Sequence, residues 1–448
     1  MHRFRLFLVV STLVLCGLSC KEEVSSYGVQ LNFEFHRLKN NLSVIMIQDK
    51  TVPVVSYQTW FRAGSVDDPP GMSGMTRLFE HLMFSGTEKY PSKDLFEFLE
   101  LSGAEFNAIT TRDYSMFYEN VRPQFLEKII DFESDRLANL TVNTESINKG
   151  RLIALEDRRQ KIEEHPEILM EEALWQLAYK RHPYRWPIRG YPFHIMLITP
   201  ERLVQFAKSY FQPANAILVV VGNFDSEQTL KWIQASYEKI PSKAPPERIF
   251  PEEPEQTEER RLEVPRADLH FEKLLQGYHI PAAEQLDAYA LDVLTNILFE
   301  GVSSRAYESL VREKGLALSV SGLALTPTYP GLLSVSVTMR RGISSQKAER
   351  ELDHLIREIQ ENGVKQSEVD LAVNQLKSQI LDNFRNPFNL GQLVGIVNSI
   401  LKAPGRVLDD IKLYSQIKPS DVQRVAQTYL DPNNRTVVVL VPQNNQGK

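Results

Sequence analysis

The chain has 448 residues, of which 42% are hydrophobic and 24% charged, and its formal net charge is −6. That length is comfortable for two domains, and the balance is that of a globular protein able to bury real cores. The negative charge excludes a nucleic-acid binder held by phosphate contacts.

Met1–Arg5 is a short basic start, Leu6–Leu15 an almost unbroken apolar run, and Gly17-Leu18-Ser19-Cys20 precedes the charged Lys21-Glu22-Glu23. Residues 1–20 read as a signal peptide whose apolar run is too short to span a bilayer as a mature helix. The only two cysteines, Cys16 and Cys20, both lie there. A large exported body without disulfides suggests a bacterial envelope, periplasmic or lipid-anchored. Cys20 after the small Ser19 resembles a bacterial lipobox, although Gly17 and Leu18 are displaced from the usual pattern. Lipidation of Cys20, with membrane attachment through it, is therefore expected; plain cleavage to a soluble product is the alternative.

Beyond the leader, Leu42–Ile47 and Val54–Trp60 read as strands, the second preceded by Pro53, where a missing N–H is tolerated. Thr199-Pro200-Glu201 through Pro213-Ala214-Asn215 and Ile217–Val221 recurs at constant spacing. The second copy is Lys418-Pro419-Ser420 through Pro432-Asn433-Asn434 and Thr436–Leu440. Each copy reads as a helix opened by proline, closed by a Pro/Asn turn and followed by a buried β-branched strand. The chain is therefore two homologous halves, residues 21–242 and 266–448. They are joined by a proline- and charge-rich linker, residues 243–265. Leu332–Val337 predicts a strand and Glu351–Glu361 an amphipathic helix in the second half. Strand runs and helix runs in each half argue an α+β class.

One segment carries chemistry. Arg77, Glu80 and His81 in Gly71–Thr87 share a helix face, being i, i+3 and i+4. This looks like the inverted zinc-peptidase motif His-x-x-Glu-His with its first histidine replaced. In such a motif two imidazoles and a later carboxylate hold zinc at about 2.0–2.2 Å, and the glutamate draws a proton from metal-bound water. The flanks agree. Phe84-Ser85-Gly86-Thr87, Gly103-Ala104-Glu105-Phe106-Asn107-Ala108-Ile109-Thr110, Glu133-Ser134-Asp135-Arg136-Leu137 and His182-Pro183-Tyr184 with Gly190 each match a stretch of the pitrilysin/insulinase family, which includes the mitochondrial processing peptidases. So do Ser303-Ser304-Arg305-Ala306-Tyr307 and Leu310–Ala317 in the second half. The resemblance covers nearly all of the mature chain. It implies two α/β-sandwich halves with antiparallel-rich sheets, zinc as the family's cofactor, and an edge strand in which Asn107 and Thr110 hold a peptide backbone.

The departures bear on the reaction. Arg77 stands at the first ligand place; a guanidinium has no lone pair to offer and would repel the metal. The third ligand falls in Leu152–Arg159: anchoring on the paired arginines puts Asp157 there, anchoring on the apolar residues puts Glu156 there, and the first registers slightly better. It also puts Gly150 where a supporting glutamate is frequent. In the second half Arg312 fills the place of a carbonyl-binding arginine, but Leu318 stands where a tyrosine is expected. The family's general base (Glu80) and metal ligands (His81 with Asp157 or Glu156) thus read as vestiges, with zinc not bound. Arg77 is expected to occupy the metal's space and pair with the carboxylates. The remaining histidines (His36, His165, His182, His194, His270, His279, His354) form no ligand-spaced pair. The expected function is that of a catalytically inactive homologue, partnering a metal-carrying homologous subunit or binding peptides. Two alternatives are an active zinc endopeptidase with an atypical site and an envelope lipoprotein with no peptide role.

Overall fold

The structure, a computed structural model, describes residues 19–26 and 29–443. Residues 1–18 of the expected leader lie outside the described residues. The backbone of Cys20 sits in the first strand, and its side chain is not described. Among the described residues no helix is long and apolar enough to cross a membrane.

The first half contributes β1 (Ser19–Ser26), β2 (Val29–Arg37), β3 (Ser43–Gln48), β4 (Val55–Phe61), β5 (Glu105–Thr110), β6 (Ser115–Val121) and β7 (Ala216–Gly222). Its helices are α1 (Met75–Leu82), α2 (Ser92–Ser102), α3 (Leu126–Asn139), α4 (Thr144–Glu164), α5 (Pro166–Ala178), α6 (Pro192–Leu197), α7 (Pro200–Tyr210) and α8 (Ser226–Tyr237). The second half contributes β8 (Arg260–Arg266), β9 (Lys273–Ile280), β10 (Ala317–Leu325), β11 (Gly331–Met339) and β12 (Arg435–Pro442). Its helices are α9 (Asp287–Phe299), α10 (Ser345–Asn362), α11 (Gln366–Asn383), α12 (Pro387–Leu401), α13 (Val407–Tyr414) and α14 (Pro419–Tyr429). The strands form a seven-stranded sheet, β1-β2-β3-β7-β4-β6-β5, and a five-stranded sheet, β8-β12-β9-β11-β10. Both are mixed: β7 runs parallel to β3 and antiparallel to β4, as β12 does to β8 and β9.

The duplication is visible atom by atom. The side-chain amide of Asn215 donates to the carbonyls of Tyr210 (2.8 Å) and Arg62 (3.1 Å). Asn434 donates to those of Tyr429 (2.8 Å) and His279 (2.9 Å). In each half one amide thus ties the end of the proline-opened helix to the strand beside it.

The halves are interlocked. A strand buried on both faces needs cover on both. On β7, Leu218 and Val220 face the first half's own helices. Ile217, Val219 and Val221 face Leu390, Val394 and Val397 of α12 and Val407, Leu408 and Ile411 of α13, all from the second half. Reciprocally, Val438 and Leu440 of β12 face Met170, Leu174 and Trp175 of α5, from the first half. Glycine permits the approach: a Cβ at Gly395 would lie 2.2 Å from a Trp60 ring carbon.

The segment expected as a linker is held down. The Arg248 guanidinium pairs with Asp67 (2.6 and 2.8 Å) and reaches the Asp113 carbonyl (2.9 Å). The Glu253 carboxylate accepts the backbone N–H groups of Lys180, Arg181 and His182 at 2.6–2.8 Å. Residues 260–265 belong to strand β8, whose exposed edge position gives it the polar, charged composition of a linker.

Gly395→Ala should force α12 away from Trp60 and lower the urea-unfolding midpoint by the equivalent of about 1–3 kcal/mol. An unchanged midpoint would mean that the helix seat is looser than its geometry.

Candidate functional site

Helix α1 is set by a buried carboxylate. Asp68 accepts the N–H groups of Gly74 (2.7 Å) and Thr76 (2.8 Å) and the Thr76 hydroxyl (2.6 Å), satisfying donors that a helix start leaves open. Burial pushes this carboxyl up to about 7. Gly74 (φ 89°) and Gly190 (φ 68°) stack where neither could carry a side chain. A Cβ on Gly190 would meet the Ser73 carbonyl oxygen at 2.2 Å, and one on Gly74 the Gly190 Cα at 2.9 Å. This contact brings the loop after Tyr184 against the start of α1.

From that frame Arg77 turns inward. Its Nη1 lies 2.5 Å from Glu80 Oε1, and its Nη2 lies 3.3 Å from Asp157 Oδ2 on α4. Arg189, delivered by the Gly190 loop, places its Nε 3.5 Å from the same Asp157 oxygen. The Glu80 side chain, only 5% exposed, also accepts a bond from the Thr110 hydroxyl on β5. Two guanidiniums and two carboxylates thus link α1, α4, β5 and the 185–190 loop. Helix α4 lies close because residue 150 is glycine: a Cβ there would meet Leu82 at 2.9 Å and Leu78 at 3.3 Å.

His81 lies near the Arg77, Asp157 and Arg189 charges without a hydrogen bond from its Nε2 to any of them. It lines a cavity of about 320 Å³ with Phe84, Phe96, Lys149, Gly150 and Ile153. Its buried Nε2 has no hydrogen-bond partner among the described residues. Burial, reinforced by the Arg77 charge, lowers its pKa to about 4, so the ring is neutral at neutral pH.

The structure brings Arg77, Glu80, His81, Asp157 and Thr110 together and leaves the other expected site residues apart. The Glu156 side chain is 61% exposed and paired with Arg159 on its own helix (2.6 and 3.0 Å). Asn107 is exposed on β5, which is the edge strand of its sheet. Arg312 is exposed on a π-helical segment and pairs with Glu308 at 3.0 Å. Leu318, 51% exposed, sits at a bulge where β10 begins. Arg189 was missed by sequence reasoning; its one signal was the neighbouring Gly190.

Two other matched stretches serve architecture. Tyr184 of the His-Pro-Tyr stretch donates to Asp113 Oδ1 (2.6 Å), whose other oxygen accepts Thr328 N–H from the second half (2.8 Å). Arg136 is fully buried, 2.5 Å from Glu133 and 3.7 Å from Glu119. Burial and the Glu133 charge raise Glu119 well above the usual carboxylate range.

The donor set does not fit zinc. Among the described residues no three His, Cys, Asp or Glu side chains converge as a metal would require. A cation already fills the space between Glu80 and Asp157.

Removing that cation tests the arrangement. Arg77→Ala should cost about 3–5 kcal/mol by leaving Glu80 buried and unpaired, and adding Glu80→Gln should recover most of it in urea unfolding. A loss under about 1 kcal/mol for the single variant would show that the cluster does not support the fold. His81 supplies a pH signature. Its folded pKa lies below its unfolded value of 6.5, so its contribution is full above pH 6.5 and declines as pH falls towards 4. The stability difference between wild type and His81→Gln should shift across that window by up to about 3 kcal/mol and be flat above it.

Residues 43–190 match the family model described as Insulinase (Peptidase family M16), and residues 197–376 that described as Peptidase M16 inactive domain. The zinc protease PqqE of Helicobacter pylori is 25% identical over 444 residues, covering 97% of this chain and 98% of that protein. A crystal structure of a protease from Helicobacter pylori, 24% identical, superposes with a TM-score of 0.88 over 92% of this chain and all of that one. The periplasmic protease PqqL from Escherichia coli, 18% identical, gives 0.75 over 92% of this chain but only 48% of its own length. The two-halved architecture, the matched stretches in both halves and these likenesses agree: the chain belongs to the insulinase (M16) peptidase family.

Proposed function

We propose that this chain is a catalytically silent member of its family, acting in the bacterial envelope as a peptide-binding partner of a metal-carrying homologous subunit. The observation that carries the reading is the Arg77 guanidinium, lodged between Glu80 and Asp157 where a first metal ligand would stand. Asp157 occupies the third ligand place in this reading, because it faces α1 whereas Glu156 faces solvent. Glu80, paired to a guanidinium and to Thr110, is in no position to take a proton from water. Peptide binding rests on β5, an open strand edge directly beside this cluster. A partner is supported by the full-length periplasmic PqqL, one chain about twice the length that this one spans. The envelope location rests on the leader-like N-terminus and the lack of cysteine after Cys20.

A second reading, an active zinc endopeptidase, is favoured by the unpartnered Nε2 of His81 and by the name of the Helicobacter relative. Metal content separates the two. Protein purified without chelators should carry no stoichiometric zinc, and casein hydrolysis should equal that of Glu80→Gln. One zinc per chain, lost in His81→Ala, would overturn the silent reading.

A further inference from the structure

Strand β5 ends its sheet, so half of its backbone groups have no strand to bond. The register says which half. Thr111 N–H donates to the Tyr114 carbonyl (2.8 Å) and closes the β5–β6 hairpin. Bond-exchanging pairs alternate from there, at Ile109/Met116, Asn107/Tyr118 and Glu105/Asn120. Phe106, Ala108 and Thr110 therefore turn their N–H and C=O groups to the open edge. Their side chains anchor the strand from behind. Phe106 packs on Phe96 (5.7 Å between centroids), Ala108 is buried, and Thr110 bonds Glu80.

The middle donor of this edge is not free. Ala108 N–H is bonded, at 2.8 Å, to Oδ1 of the neighbouring, exposed Asn107. The side-chain carbonyl stands where the main-chain carbonyl of an added strand would have to come.

We propose that Asn107 is a removable cap on the peptide-binding edge. This rests on the peptide-binding reading above and adds its regulation: an extended segment must displace the Asn107 amide to reach Ala108. A short or poorly aligned peptide gains too little from Phe106 and Thr110 to offset that displacement. A segment registering with all three residues replaces the bond and keeps the rest. The same cap shields an open edge from pairing with another copy of the chain. Asn107 thus selects for extended, proline-free segments long enough to span the strand, instead of contributing attraction of its own.

The test uses the full chain and fluorescein-labelled, oxidised insulin B chain as the extended probe, read by fluorescence polarisation. Asn107→Ala should bind about two- to tenfold more tightly than wild type, the size of one net hydrogen bond. Asn107→Asp, which keeps the acceptor, should stay within about twofold of wild type on the same scale. Hydrogen–deuterium exchange of the free proteins gives a second readout. The Ala108 amide should exchange faster in Asn107→Ala and not in Asn107→Asp. Wild-type binding that Asn107→Ala leaves equal or weakens, or an Ala108 amide that exchanges no faster, overturns the cap alone. Failure of every protein to bind the probe overturns the peptide-binding reading itself, and the cap with it.

Discussion

Each sheet has two apolar faces, and each half supplies helices enough for one. That shortage dictates the architecture. The second face of the first sheet is closed by α12 and α13, and that of the second sheet by α5, so neither half is complete alone. Burial at about 25 cal/mol per Å² makes such faces the largest favourable contribution available to the fold. The small residues at the contacts follow from it. Gly395 and Gly391 let α12 lie against Trp60 and Gln58, and Gly277 accepts Leu174 of α5.

The site inherits its rigidity from this frame. The α1 start is pinned by Asp68, the 185–190 loop by the Gly74–Gly190 stack, and α4 by the gap at Gly150. What these elements present to one another is charge: two guanidiniums against two carboxylates, largely out of water. Such a group is stable only while each charge keeps its partner. A divalent ion and a guanidinium solve the same electrostatic problem for Glu80 and Asp157, but only the ion leaves an open position for chemistry. Arg77 therefore holds α1 against α4 through its pairs with Glu80 and Asp157.

Several stretches that mark the family turn out to mark its scaffold. Tyr184 and Asp113 join the halves through Thr328. Arg136 gathers Glu133 and Glu119 in the core. Ser304 accepts the Tyr307 N–H at the start of a helical segment, and Arg305 clamps Glu368 with two bonds of 2.8 and 2.9 Å. Losing any of these residues would cost the fold, because each charge or hydroxyl would leave a buried partner unpaired.

The sequence by itself determined the class, the duplication and the cation that Arg77 brings to the face of Glu80. Hydrophobic period, proline-opened helices and the chemistry of a guanidinium are properties of short segments and single side chains. Tertiary structure decided the rest. Neighbouring residues on a helix point about 100° apart, so only the rotation of α4 against α1 separates Asp157 from Glu156. Strand alternation sends Thr110 inward to Glu80 and leaves Asn107 outside, folded back on Ala108. Arg189 enters the site, and α5 and α12 exchange halves, through contacts between residues far apart in the chain, where no local pattern leaves a trace.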